Sequence, residues 1–132
     1  MSKAENIKVV VVEPNEEAKI IEVKNTLESM QELVGGYIET YGPFEDEAII
    51  VCNEEGRMNG MPSNRAMRDK DGNILNIICG PFFVCYAPFD SEDFLSLSDE
   101  MAEKYKELFK VPELFISTEH GTIVVPISLE TE

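Results

Sequence analysis

A chain of 132 residues with 11 Lys and Arg against 26 Asp and Glu carries a formal charge of −15. That length fits one domain with a core that needs no staples. The charge argues against nucleic-acid phosphate or an anionic membrane surface as a direct partner, because both demand clustered Lys and Arg.

Residues 7–13 (IKVVVVE) form an unbroken β-branched run, the pattern of a strand buried on both faces and central in its sheet. Pro14-Asn15-Glu16-Glu17 is turn chemistry, and the alternation over residues 18–24 predicts a second strand paired to the first as a hairpin. Asn25 is expected to cap a helix, with Glu28 closing a capping box and Leu27, Met30, Leu33 and Val34 on one face. Gly35-Gly36 ends it. Residues 37–41 read as a strand, Gly42 to Glu47 as a loop and residues 48–52 (AIIVC) as a buried strand.

Gly56, Gly60 and Pro62 interrupt any regular element, so a loop is expected from Asn53 to Asn64, its recognition surface running on to Arg68, followed by an Asp71-Gly72 turn. Residues 74–79 and 82–86 are strand-like on either side of Gly80-Pro81, and residues 90–97 are an acidic connector. A second helix starts at Ser98, with Leu97 stapled to Ala102 and an apolar face of Met101, Tyr105, Leu108 and Phe109; Val111-Pro112 stops it. Residues 114–117 and 122–127 make a hairpin around Glu119-His120-Gly121, and residues 130–132 are expected as a frayed tail. The expected class is α+β, a mostly antiparallel β-sheet with two α-helices packed on one face. Residues 1–112 would be a single domain, and residues 113–132 its C-terminal β-hairpin extension.

The sequence holds no P-loop, nucleophile elbow, C-x-x-C or H-E-x-x-H, so neither a cofactor nor a metal is expected. No apolar run approaches the roughly 20 residues of a membrane span and no basic-then-apolar leader is legible, so a cytoplasmic protein is expected. Cys52, Cys79 and Cys85 each sit in an apolar run and read as buried free thiols. Asp69-x-Asp71-Gly72 resembles a calcium loop, but its glycine comes early and Gly80 stands where the closing glutamate belongs, so a hairpin turn is the better reading.

Recognition is sought in residues 53–76. This window holds Arg57, Arg65, Arg68 and Lys70 against Glu54, Glu55, Asp69 and Asp71, so the entire −15 lies outside it, and it carries five of the eight asparagines. Arg57, Arg65 and Arg68 could each grip phosphate or carboxylate in two prongs, and Asn53, Asn59 and Asn64 could pair with amides or base edges. Gly56 and Gly60 would admit a ligand close to the backbone, with Tyr37, Tyr41 and Phe83 as stacking surfaces. The competing reading has these arginines pairing with local carboxylates. On the second helix Asp99, Glu103 and Glu107 make an acidic stripe that is either a solvated face offset by lysines or a phosphate-mimicking array, joined by Glu92, Asp93 and residues 45–47.

Three runs carry a family resemblance: MQELVGGYIE at residues 30–39, CNEEGRMNGMPSNRAMRDKDGN at residues 52–73 and IICGPFFV at residues 77–84. The chain resembles, over residues 7–110, the family catalogued as domain of unknown function 3846. Members typically read Asn-Glu-Glu-Gly-Lys followed by Gly-Leu-Pro-Pro-Asn-Arg. Here Arg57 replaces the lysine, Met61 the leucine, Ser63 the second proline, and Pro81 a more usual threonine. The resemblance implies an accessory protein of a phage, plasmid or conjugative element.

The leading expectation is therefore a non-enzymatic binding protein of such an element, acting in counter-defence from the host cytoplasm. It would use Asn53, Arg57, Asn59, Asn64, Arg65 and Arg68 to bind a small phosphorylated or nucleotide-like ligand, or a host defence protein. The alternative is an acidic DNA mimic inhibiting a basic host protein through Asp99, Glu103 and Glu107. An enzyme ranks last, since no pair of groups can be assigned acid and base roles. Open sheet edges allow a homodimer.

Overall fold

A computed structural model describes residues 5–127. The elements run β1 (Asn6–Val12), β2 (Lys19–Lys24), α1 (Leu27–Val34), β3 (Ile38–Tyr41), β4 (Ala48–Asn53), β5 (Ser63–Arg68), β6 (Ile74–Cys79), β7 (Phe82–Tyr86), α2 (Asp99–Leu108), β8 (Glu113–Thr118) and β9 (Gly121–Pro126). The fold is α+β. Five strands form one antiparallel sheet in the order β2-β1-β7-β4-β3, and β5–β6 and β8–β9 are separate two-stranded sheets.

The helices do not share a face. Val10 and Val12 of β1 pack with Ile50, Phe82, Val84 and the α2 residues Ala102, Tyr105 and Phe109. The alternate residues Ile7, Val9 and Val11 pack with Val51, Phe83, Cys85 and the α1 residues Met30 and Val34. Alternation along a strand sends neighbours to opposite sides, so α1 covers one face while α2 covers the other. The β5–β6 hairpin lies on the α2 side, where Met67 and Ile78 join the core. A strand buried on both faces needs a layer on each, and the β1 run already implied this.

Three local expectations shift. Thr26, not Asn25, caps α1, and its Oγ1 accepts from the Ser29 N–H at 3.1 Å. The Asn25 N–H instead donates to the Glu5 carbonyl at 2.8 Å, which holds Asn25 in the strand ladder and moves the cap one residue on. Leu27 and Leu108 are more than half exposed, outside the apolar faces expected of them. Finally, residues 63–68 are not loop. They pair with β6 from Ser63↔Cys79 to Arg68↔Ile74, with irregular register at both ends. The Asp69–Asn73 connection is the hairpin turn: Asp69 accepts from the Asp71 and Asn73 N–H groups at 2.9 Å, and Gly72 takes φ 86°. The expected frayed tail, residues 130–132, falls outside the described residues.

β8 and β9 pair along their whole length but touch the rest of the protein lightly. The main tie is Glu113. Its carboxylate accepts from the Ala66 N–H at 2.8 Å and meets the Arg68 guanidinium at 2.9 Å.

All three cysteines are free. Burial pushes the Cys52 and Cys85 thiols up, to about 11 and about 12. At about pH 8 both are protonated and poorly nucleophilic. Iodoacetamide is therefore expected to label only Cys79 in the native protein, as read by peptide mass spectrometry, with Cys52 and Cys85 reacting once urea unfolds it. Prompt labelling of Cys85 would show that β7 opens at its buried face.

Candidate recognition surface

The residues proposed for binding divide into two groups. Asn64 and Arg65 are buried and fully bonded. Asn64 Nδ2 donates to the carbonyls of Val12 and Gly80, both at 2.9 Å. Arg65 donates through Nε and Nη2 to the Phe109 carbonyl at 3.2 and 2.9 Å, and through Nη2 to the Glu16 carbonyl at 2.6 Å. Its Nη1 reaches the Asn64 carbonyl at 3.2 Å and Asn64 Oδ1 at 2.9 Å. That is five bonds for five N–H groups, so no donor is left for a ligand. Arg65 caps the carbonyl end of α2, where a cation is favoured. Burial lowers its pKa and the Glu113 charge opposes this.

Asn53 is likewise committed. Its Nδ2 donates to the Val34 carbonyl at the end of α1 (3.1 Å), and its Oδ1 accepts from the Glu55 N–H at 2.7 Å. Nearby glycines close this knot. A Cβ on Gly56 would stand 2.6 Å from the Cys79 carbonyl oxygen, and one on Gly80 would stand 2.5 Å from Met61 Sδ. A Cβ on Gly35 would come within 3.1 Å of Met61 Cε. The backbone closeness expected to serve a ligand serves the fold instead, packing three distant segments around Met61.

What remains outward is the tip of the loop. Glu54, Glu55, Arg57, Met58, Asn59 and Gly60 are exposed, Met58 at 83 %. The tip is wound by main-chain bonds, Asn59 N–H to the Glu55 carbonyl at 2.8 Å and Met61 N–H to the Gly56 carbonyl at 2.9 Å. Arg57 Nη2 donates to the Ile77 carbonyl at 3.3 Å. It lies on a shallow cavity of about 130 Å³ shared with Glu39, Asn53, Glu54 and Asn76. Tyr37 flanks the loop entry: its carbonyl accepts from the Glu54 N–H at 2.9 Å and it is largely exposed. Of the other aromatics expected there, Phe83 is buried in the core on the α1 side of the sheet, and Tyr41 is half-buried against the core on the α2 side. Arg68 belongs elsewhere. With Arg65, Phe44, Leu108 and Glu113 it lines a cleft of about 230 Å³ between β5, α2 and β8.

The acidic stripe is interrupted by cations. Asp99 pairs with Lys8, while Glu103 and Glu107 stay exposed beside Lys104, Lys106 and Lys110. Asp46 is half-buried and already partnered: it accepts from the Tyr105 hydroxyl at 2.7 and 2.8 Å and meets Lys104 at 3.1 Å. Partial burial pushes this carboxyl up, but the Tyr105, Ala48 and Lys104 bonds outweigh it and hold the pKa below its ordinary value. Glu47 accepts from the Phe89 N–H at 3.0 Å. Phe89 itself is 95 % exposed, a feature that sequence reasoning passed over. Its signal was an aromatic set between Pro88 and Asp90 in a turn-rich stretch.

The family described as domain of unknown function (DUF3846) matches residues 7–110, more than three-quarters of the chain. The chain belongs to that family. No curated protein and no solved structure matches it. Within this DUF3846 chain, residues from all three runs that signal the family converge on the knot around Asn53 and Met61: Gly35 and Gly36, Gly56, and Gly80. The hairpin of β8 and β9 follows the matched region. No helix among the described residues is long and apolar enough to cross a membrane.

Proposed function

We propose that this protein is a non-enzymatic binding protein whose recognition surface is the loop of residues 54–60 with Tyr37 beside it, and that the partner is another protein. One observation carries the reading: Arg57 and Met58 stand exposed on a loop whose two ends are fixed by buried bonds. Arg, Met and Tyr are the side chains that interfaces favour, and a loop already wound loses little freedom on binding. A phosphorylated small molecule is the weaker reading, because Asn53, Asn64 and Arg65 spend their donors internally, and among the described residues Arg57 is the one cation lining its cavity. On a mobile element, the origin that the resemblance implies, the partner would be a host defence protein met in the cytoplasm.

The test compares the wild type with an Arg57→Glu, Met58→Asp double variant, both immobilised and exposed to bacterial lysate. A partner retained by the wild type and reduced by at least about tenfold in the variant is the expected result. A partner captured equally by both, or a small molecule of defined mass released from the purified wild type in native mass spectrometry, would overturn the reading.

A further inference from the structure

We propose that the cleft beside Arg68 is a binding site for a small organic acid, a carboxylate on an apolar body, and that Glu113 is a tethered carboxylate of the chain's own that keeps the site closed. The donors are built into β5. The Ala66 N–H points out of the β5–β6 ladder and donates to Glu113 Oε1 at 2.8 Å, while the Arg68 guanidinium meets Oε2 at 2.9 Å. A backbone N–H and a guanidinium, one to each oxygen, are a receptor for a carboxylate group. The Glu113 side chain is only 11 % exposed in this receptor, although most of β8 and β9 stands in solvent. Beside it lies the cavity of about 230 Å³, walled by Phe44, Met67, Leu108, Phe109 and Val111. Glu113 takes the polar end of the cleft and leaves this apolar space open.

Site and occupant come from different parts of the chain. Phe44, Ala66, Met67, Arg68 and Phe109 lie within the matched residues 7–110, whereas Glu113 comes from the hairpin that follows them. Charge selects an anion. Apart from Glu113, the charged groups of the lining are Arg65 and Arg68 against Asp69, two cations to one carboxylate, in a chain whose net charge is −15. The Asp69 carboxylate is committed to its own turn, where it accepts from the Asp71 and Asn73 N–H groups at 2.9 Å. No residue of the loop at 54–60 lines this cleft, so the site is independent of the proposed recognition surface. A carboxylate tethered to the chain competes at an effective concentration of about a millimolar, so a free acid binds by displacing Glu113 and lifting the base of β8.

Isothermal titration calorimetry with sodium phenylacetate, at constant ionic strength, tests this on the whole chain. Glu113→Ala is expected to bind phenylacetate at least about tenfold more tightly than the wild type. Adding Arg68→Ala to that variant is expected to remove at least about tenfold of the affinity. 2-Phenylethanol, the same body without the charge, is expected to bind neither protein. Glu113→Gln keeps the bulk and an acceptor for the Ala66 N–H but loses the ion pair, and is expected to fall between wild type and Glu113→Ala. Circular dichroism checks each fold, and the glutamine variant carries the test if the alanine variant does not fold. Folded Glu113 variants that bind phenylacetate no more tightly than the wild type overturn the proposal. Affinity that survives Arg68→Ala, or 2-phenylethanol bound as well as phenylacetate, overturns it too.

Discussion

Arg65→Ala is expected to lower the unfolding free energy by about 4 kcal/mol, a large share of the roughly 5–15 kcal/mol that holds a domain of this size. The substitution strips the buried carbonyls of Asn64 and Phe109, and the part-buried one of Glu16, of their donor and leaves a void beside them. A buried acceptor stripped of its donor costs about 1–3 kcal/mol. Arg65 is also among the largest fully buried side chains, so a cavity adds to the loss. Arg65→Lys keeps a charge near the end of α2 but cannot supply five forked donors, and recovers about half at most. Urea denaturation followed by circular dichroism measures all three proteins. A midpoint for Arg65→Ala within error of the wild type would show that the guanidinium does not hold α2, β5 and the Glu16 turn together.

Gly56→Ala is expected to cost about 3 kcal/mol, at the upper end for forcing one methyl into a packed site. The obstacle is the Cys79 main-chain oxygen 2.6 Å from the new Cβ, and main chain inside a paired strand cannot step aside. Gly60 makes the contrast. Its φ is 73°, and no atom lies within 4 Å of an added Cβ. Only the left-handed backbone resists a side chain there, and asparagine tolerates that region, so Gly60→Asn is expected to cost less than about 1 kcal/mol. Thermal unfolding of the two variants in parallel separates the causes, and equal losses would contradict this account of Gly56.

Most strands were legible because their periodicity is strong. The β1 run, the alternation of β2 and the short apolar blocks of β4, β6 and β7 sit where the pattern puts them. β5 was not legible. Its residues SNRAMR have no alternation and only Ala66 and Met67 as apolar members, and its pairing with β6 overrides local preference. The candidate site suffered from the same blindness. Arginine and asparagine are usually exposed, so Asn64 and Arg65 in a polar stretch read as available. Nothing in a linear sequence says that three carbonyls, from residues 16, 64 and 109, will converge on one guanidinium. The neutral, Arg- and Asn-rich window combines two kinds of residue that a linear reading does not separate. Asn53, Asn64 and Arg65 are spent on buried bonds, whereas Glu54, Glu55 and residues 57–60 form the exposed tip.

Because Asn53 and Met61 are moored to the body, the segment between them is a cassette. Tolerance to change is therefore sharply segmented along the chain. At Met58 and Asn59 a substitution redraws the outer contour and leaves every interior bond in place, whereas a few residues on, at Asn64, the same substitution dismantles the interior and leaves the contour alone. On the proposed reading, a lineage chasing a shifting partner can retarget within the codons of Glu54, Glu55 and residues 57–60, stepping over Gly56, without renegotiating how it folds.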